Sequence, residues 1–137
     1  MEKLKSILCA SILLAVIIIS GCASPTGNIA VSDKPIIKEF YTESFFVMEN
    51  GKPHPQFSLK EIVVNKGDVV RLKINVTNGR HDFNIDEFDV HSTTPTGNVT
   101  TVEFTAGKSG DFLYYCSMPN HRANGHWGTL KVLDVIG

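Results

Sequence analysis

Tyr114-Tyr115-Cys116-Ser117-Met118-Pro119-Asn120-His121-Arg122-Ala123-Asn124-Gly125-His126-Trp127-Gly128-Thr129-Leu130 is the stretch on which the fold is read. Its two ends have strand character: 111–116 is rich in aromatic residues, and 128–133 alternates Leu130 and Val132 with Thr129 and Lys131. The loop between them holds one thiol and two imidazoles, Cys116, His121 and His126, with Pro119 and Gly125 to turn it. Because the loop leaves one strand and enters the next, it can fold back and bring all three side chains together.

Outward from this loop the pattern stays β. Residues 69–77 alternate Val70, Leu72, Ile74 and Val76 with Val69, Arg71, Lys73 and Asn75, which puts one face in a core and the other in water. A strand at 59–64 precedes it through Asn65-Lys66-Gly67-Asp68, and further strands are expected at 38–48, 83–85 and 99–104. Glycines punctuate the intervals, and short strands at this spacing specify an all-β, two-sheet sandwich.

His81 follows the alternating strand through Asn78-Gly79-Arg80 and is expected at the same end of the sandwich as the Cys116 loop. A cysteine with two or three histidines is a soft donor set, suited to copper held in trigonal sites with a weak fourth ligand. Structural zinc usually recruits cysteines paired at short spacing, which this chain lacks. A Cys–His nucleophile would use the same atoms, but three imidazoles exceed what that chemistry needs. His54, between Pro53 and Pro55, and His91, in a polar stretch before Pro95, are expected at the surface.

The length of 137 residues allows one domain with extensions. A net charge of −1 without any Lys/Arg-rich run excludes a nucleic-acid partner. Residues 1–21 combine Lys3 and Lys5 with an apolar run and then small residues, the architecture of a signal peptide. Ile19-Ser20-Gly21-Cys22 resembles the lipobox of prokaryotic lipoproteins, which implies lipid on Cys22 and a membrane-anchored, extracytoplasmic protein in the periplasm or at the cell surface. An uncleaved anchor helix is the alternative. Residues 22–35 read as a flexible tether and 36–137 as the folded domain, in which Cys116 is the one remaining thiol. A solitary thiol in an oxidising compartment asks for a reason such as metal ligation.

These motifs resemble those of the cupredoxins, the plastocyanin/azurin-like family, and the resemblance implies a Greek-key β-sandwich of about seven to eight strands. Cys116, His121 and His81 fall where the family places its ligands to one copper ion. The departure is His126, where the family most often has methionine; an axial imidazole is expected to lower the reduction potential and give a green or red site. Asp82 stands where many relatives have Asn, and is expected to accept a hydrogen bond from Ser117, behind the ligands.

The resemblance implies a one-electron carrier cycling between copper(I) and copper(II), more an electron-transfer protein than an enzyme. It would be a monomer that meets a redox protein by weak, transient contact through Met118, Pro119, Ala123 and Trp127 around His121. Two alternatives stand beside it: a copper buffering or delivery protein, and a mononuclear copper enzyme of the red, nitrosocyanin-like type.

Overall fold

The structure is a computed structural model that describes residues 35–134. The signal peptide at 1–21, the lipid on Cys22 and all of the tether except Pro35 lie outside the described residues, as does the stretch 135–137.

The described chain is all β, with two short 3₁₀ turns. In order the strands are β1 (Ile37–Glu49), β2 (Lys52–Phe57), β3 (Glu61–Asn65), β4 (Val69–Val76), β5 (His81–Ile85), β6 (Val90–Thr94), β7 (Val99–Thr105), β8 (Gly110–Tyr115) and β9 (Trp127–Leu133). They form a four-stranded sheet, β2-β1-β4-β7, and a five-stranded sheet, β3-β9-β8-β5-β6. β1 runs parallel to β4 and β3 parallel to β9, while the other pairs are antiparallel.

The nine strands exceed the seven to eight expected, and the excess has a physical cause. The expected strand at 38–48 is one arm of a hairpin, closed by Asn50 and Gly51 at φ +50° and +74°. Positive φ at both central residues is what a two-residue type I′ loop requires, and Asn-Gly supplies it. The other arm, β2, contains Pro53, His54 and Pro55. Prolines are tolerated because β2 is an edge strand, with one side free of ladder partners. β6 is likewise an edge strand, and its polar sequence hid it; His91 belongs to it.

The alternation in β4 places Val70, Leu72, Ile74 and Val76 at zero exposure, the first three in one core cluster with Phe57, Ile62, Phe83, Ile85, Tyr114 and Leu130. One close approach fixes the end of β9 beside the metal-site loop. Gly128 pairs with Tyr114 across β8 and β9, and the Tyr114 ring occupies the space that a Cβ on Gly128 would need. The ring is held there by its hydroxyl, which donates to the Leu59 carbonyl at 2.6 Å.

Gly128→Ala is therefore expected to overpack the core and lower stability by about 1–3 kcal/mol, read as a fall in the urea midpoint. Gly107→Ala is the control, since an added methyl there meets nothing within 4 Å; equal midpoints for the two variants would refute the argument.

Candidate metal centre

Three strands deliver the donors to one tip of the sandwich. His81 is the first residue of β5, Cys116 follows the last residue of β8, and His126 precedes the first residue of β9. The connecting loop is tied by its own backbone. Cys116 N–H donates to the His126 carbonyl at 3.0 Å, His126 N–H to the His121 carbonyl at 3.0 Å, and His121 N–H to the Met118 carbonyl at 3.0 Å. A 3₁₀ turn at Arg122–Asn124, ended by Gly125 at φ +96°, carries the chain from one imidazole to the next.

One donor atom from each of His81, Cys116, His121 and His126 lies within 4.8 Å of all the others. His121 Nδ1 is 3.3 Å from His81 Nδ1 and 3.3 Å from Cys116 Sγ. Two donors at ordinary N and S bonding distances on one tetrahedral ion stand about 3.3–3.6 Å apart. The spacing therefore suits a single ion at the centre of the group.

Hydrogen bonding supports this geometry. His81 Nε2 is 2.9 Å from the Asn78 carbonyl, which can only accept, so Nε2 carries the proton and the Nδ1 lone pair faces inward. His126 Nε2 is 3.0 Å from Ser44 Oγ, and His126 Nδ1 is buried without a hydrogen-bond partner. A buried polar nitrogen left unpaired costs about 1–3 kcal/mol. A proton can bridge one of the contacts among these atoms but cannot serve them all, whereas a cation satisfies every lone pair at once.

The surroundings are dry. Cys116 and His126 have zero exposure, His81 is 2% exposed, and His121 is the least buried of the four. Burial pushes the His126 imidazole down to about 3, helped by the neighbouring His81 and His121, and lowers those two below the ordinary histidine range as well. Neutral imidazole is the ligating form. Burial also pushes the Cys116 thiol up to about 11, against the lowering effect of the backbone N–H groups of Asp82 and Met118. Displacing that thiol proton is a task a bound metal performs outright.

Behind the donors, Asp82 joins the two halves of the site. Its carboxylate accepts from Ser117 N–H at 2.6 Å, from the Ser117 hydroxyl and from Asn84 Nδ2 at 3.0 Å. Its own N–H points to Cys116 Sγ at 3.5 Å. The other sheet supplies walls: the Phe46 ring lies 4.9 Å from His81 and 5.2 Å from His121, and Phe57 lies 4.1 Å from His126 between ring centroids.

Sequence reading missed Ser44, Phe46, Phe57 and the Asn78 carbonyl. For Ser44 a signal existed, because Thr42 and Ser44 fall on the inward row of a strand, where a polar side chain needs a partner. Met118 is half-buried, while Pro119, Ala123 and Trp127 are exposed beside the loop; His54 and His91 stand apart from the donor group.

No protein-family model matches the chain, and no curated protein matches it. Solved structures do. A copper nitrite reductase from Nitrosomonas europaea superposes with a TM-score of 0.58 at 20% identity, over 72% of this chain and 43% of that one. A copper-containing nitrite reductase from Thermus scotoductus gives 0.59 at 20% identity, over 74% and 28%. A multi-copper oxidase from Pseudomonas thermotolerans gives 0.61 at 14% identity, over 74% and 30%. The chain thus spans less than half the length of each. At these identities the likeness establishes the fold, an all-β cupredoxin-like sandwich.

The depressed His126 value has a consequence for the metal-free protein. The unfolded chain takes up a proton near pH 6.5 while the folded chain resists until about 3, so stability falls as pH drops through that window. The thermal midpoint of the chelator-treated chain is expected to decline from pH 7 to pH 4. His126→Met should flatten the slope, leaving the part due to His81 and His121; an unaltered slope would sink the argument.

Proposed function

We propose that the chain holds one copper ion through His81, Cys116, His121 and His126 and works as a one-electron carrier outside the cytoplasm, tethered to a membrane by lipid on Cys22. The observation that carries this reading is the convergence of four donors within 4.8 Å, three of them buried and one an imidazole nitrogen with no other partner. Copper is favoured over zinc by the donor set, a single sulfur with imidazoles. Bound copper would supply the redox couple.

The protein residues supply rigidity. The loop is closed by backbone hydrogen bonds between its own residues, the rings are packed against Phe46 and Phe57, and Asp82 ties the β5 end to the Cys116 end. A site whose donors do not rearrange between oxidation states lowers the barrier to electron exchange. His121, the least buried donor, with Met118, Pro119, Ala123 and Trp127 around it, offers a redox partner a small apolar surface for transient contact.

A second reading is favoured by one observation. Four protein donors with a buried fourth imidazole suit tight retention, as in a copper buffering or delivery protein. Electron transfer requires fast self-exchange and a reversible potential; buffering requires tight binding with ready transfer to a chelating acceptor. The test is to load the full chain with copper, then record visible and EPR spectra, voltammetry and self-exchange. One equivalent of copper with a charge-transfer band is expected from the wild type, no band from Cys116→Ser, and a shifted band from His126→Met. Failure to retain copper, or a band indifferent to Cys116, would overturn the reading.

The Asp82 carboxylate makes a separate prediction. A fixed negative charge beside the thiolate favours copper(II) over copper(I), so Asp82→Asn, which keeps the shape and removes the charge, should raise the reduction potential. A potential that stays put or falls would count against this role.

A further inference from the structure

The hydrogen bond between Ser44 and His126 joins residues 82 positions apart in sequence and on opposite sheets, and both side chains have zero exposure. Ser44 stands at a fork. Its backbone pairs with Val76 of β4 on one side and Phe57 of β2 on the other, and its carbonyl accepts from Thr77 N–H at 3.2 Å. Beyond Ser44, β1 continues with β2 as its ladder partner. The residue is thus held from both edges at the place where the four-stranded sheet meets the metal-site tip.

A hydroxyl fixed in this way can dictate how a ring sits. His126 has two nitrogens, and a metal takes one only if the other keeps its proton and finds an acceptor. Ser44 Oγ is 3.0 Å from Nε2, while Nδ1 has no partner. Phe57 against the ring face and His81 at 4.6 Å, edge-on at 89°, leave the ring little freedom to turn over. A purely apolar residue at position 44 would preserve the wall and remove the acceptor.

We propose that Ser44 is the positioning residue of the centre: its hydroxyl accepts the Nε2 proton of His126 and so directs Nδ1 to the point where the other three donors meet. This rests on the metal-site reading and assigns a cause for the fourth ligand. Without the acceptor, the Nε2 proton would be buried and unpaired whenever Nδ1 bound a metal. His126 would then coordinate weakly or withdraw.

The test compares the full chain with Ser44→Ala, Ser44→Thr and His126→Met, each loaded with copper(II), by pulsed EPR of the remote imidazole nitrogens and by competition with a chelator. Ser44→Ala is expected to lose or alter one remote-nitrogen signal and to weaken copper binding by about 10–100-fold, as loss of a hydrogen-bonding partner behind a ligand does. Ser44→Thr, which keeps the hydroxyl, should restore both.

If Ser44→Ala matches the wild type while His126→Met differs, the positioning role is overturned and the metal-site reading survives. If His126→Met also matches the wild type, His126 is not a ligand and both the proposal and that part of the reading fall. Should the Ser44 variants not fold, the wild type decides. Loaded with zinc(II), it should show a slowly exchanging His126 Nε2 proton by NMR, close to the Ser44 β protons, and absence of that proton overturns the proposal.

Discussion

The structure depends on a constraint that no ordinary hydrophobic core tolerates: three imidazole nitrogens and a sulfur aimed at one dry point. Within 4.8 Å, electron-rich atoms face one another with too few protons to pair them. In a low-dielectric interior such an arrangement is costly, and the sandwich must hold it open against collapse. The backbone bonds of the 116–126 loop, the Asp82–Ser117 tie and the aromatic walls do the holding. A cation converts this cost into binding energy, since the donors are already in place and little ordering remains to oppose association.

The two sheets divide the work. The five-stranded sheet and its β8–β9 loop supply every donor, three from the ends of β5, β8 and β9 and His121 from the loop. The four-stranded sheet supplies no donor but furnishes Ser44, Phe46 and Phe57, which set orientation and exclude water. Gly79 shows how tightly the β4–β5 connection packs against β1 and the His81 ring: at φ +79°, a Cβ there would run into the Phe46 ring and come within 2.9 Å of His81 Nε2. The placement of the candidate donors and the packing of the four-stranded sheet are therefore coupled through β1.

How much of this was legible in the sequence follows from how local each signal is. Cys116, His121 and His126 sit within one short loop, and a solitary thiol beside two imidazoles reads as a donor set before any fold is known. β4 was legible because its alternation is clean, and its end pointed to His81. β2 was not, because Pro53 and Pro55 signal a break unless the strand is known to lie at an edge, which is a fact about the whole sheet. β6 was hidden by its polar residues for the same reason. Ser44 was the least legible, since its meaning depends on a residue 82 positions away in the other sheet.

Charge completes the account of why this donor set is arranged as it is. Asp82 accepts three hydrogen bonds, and its N–H is turned toward the sulfur. With copper bound, a thiolate and a carboxylate together would balance a doubly charged ion, whereas a singly charged ion would leave one negative charge uncompensated in a buried place. An uncompensated buried charge is the more expensive state. In the proposed copper centre the same carboxylate that ties the two ligand segments together would favour the higher oxidation state, so that mechanical rigidity and redox bias would arise from one side chain.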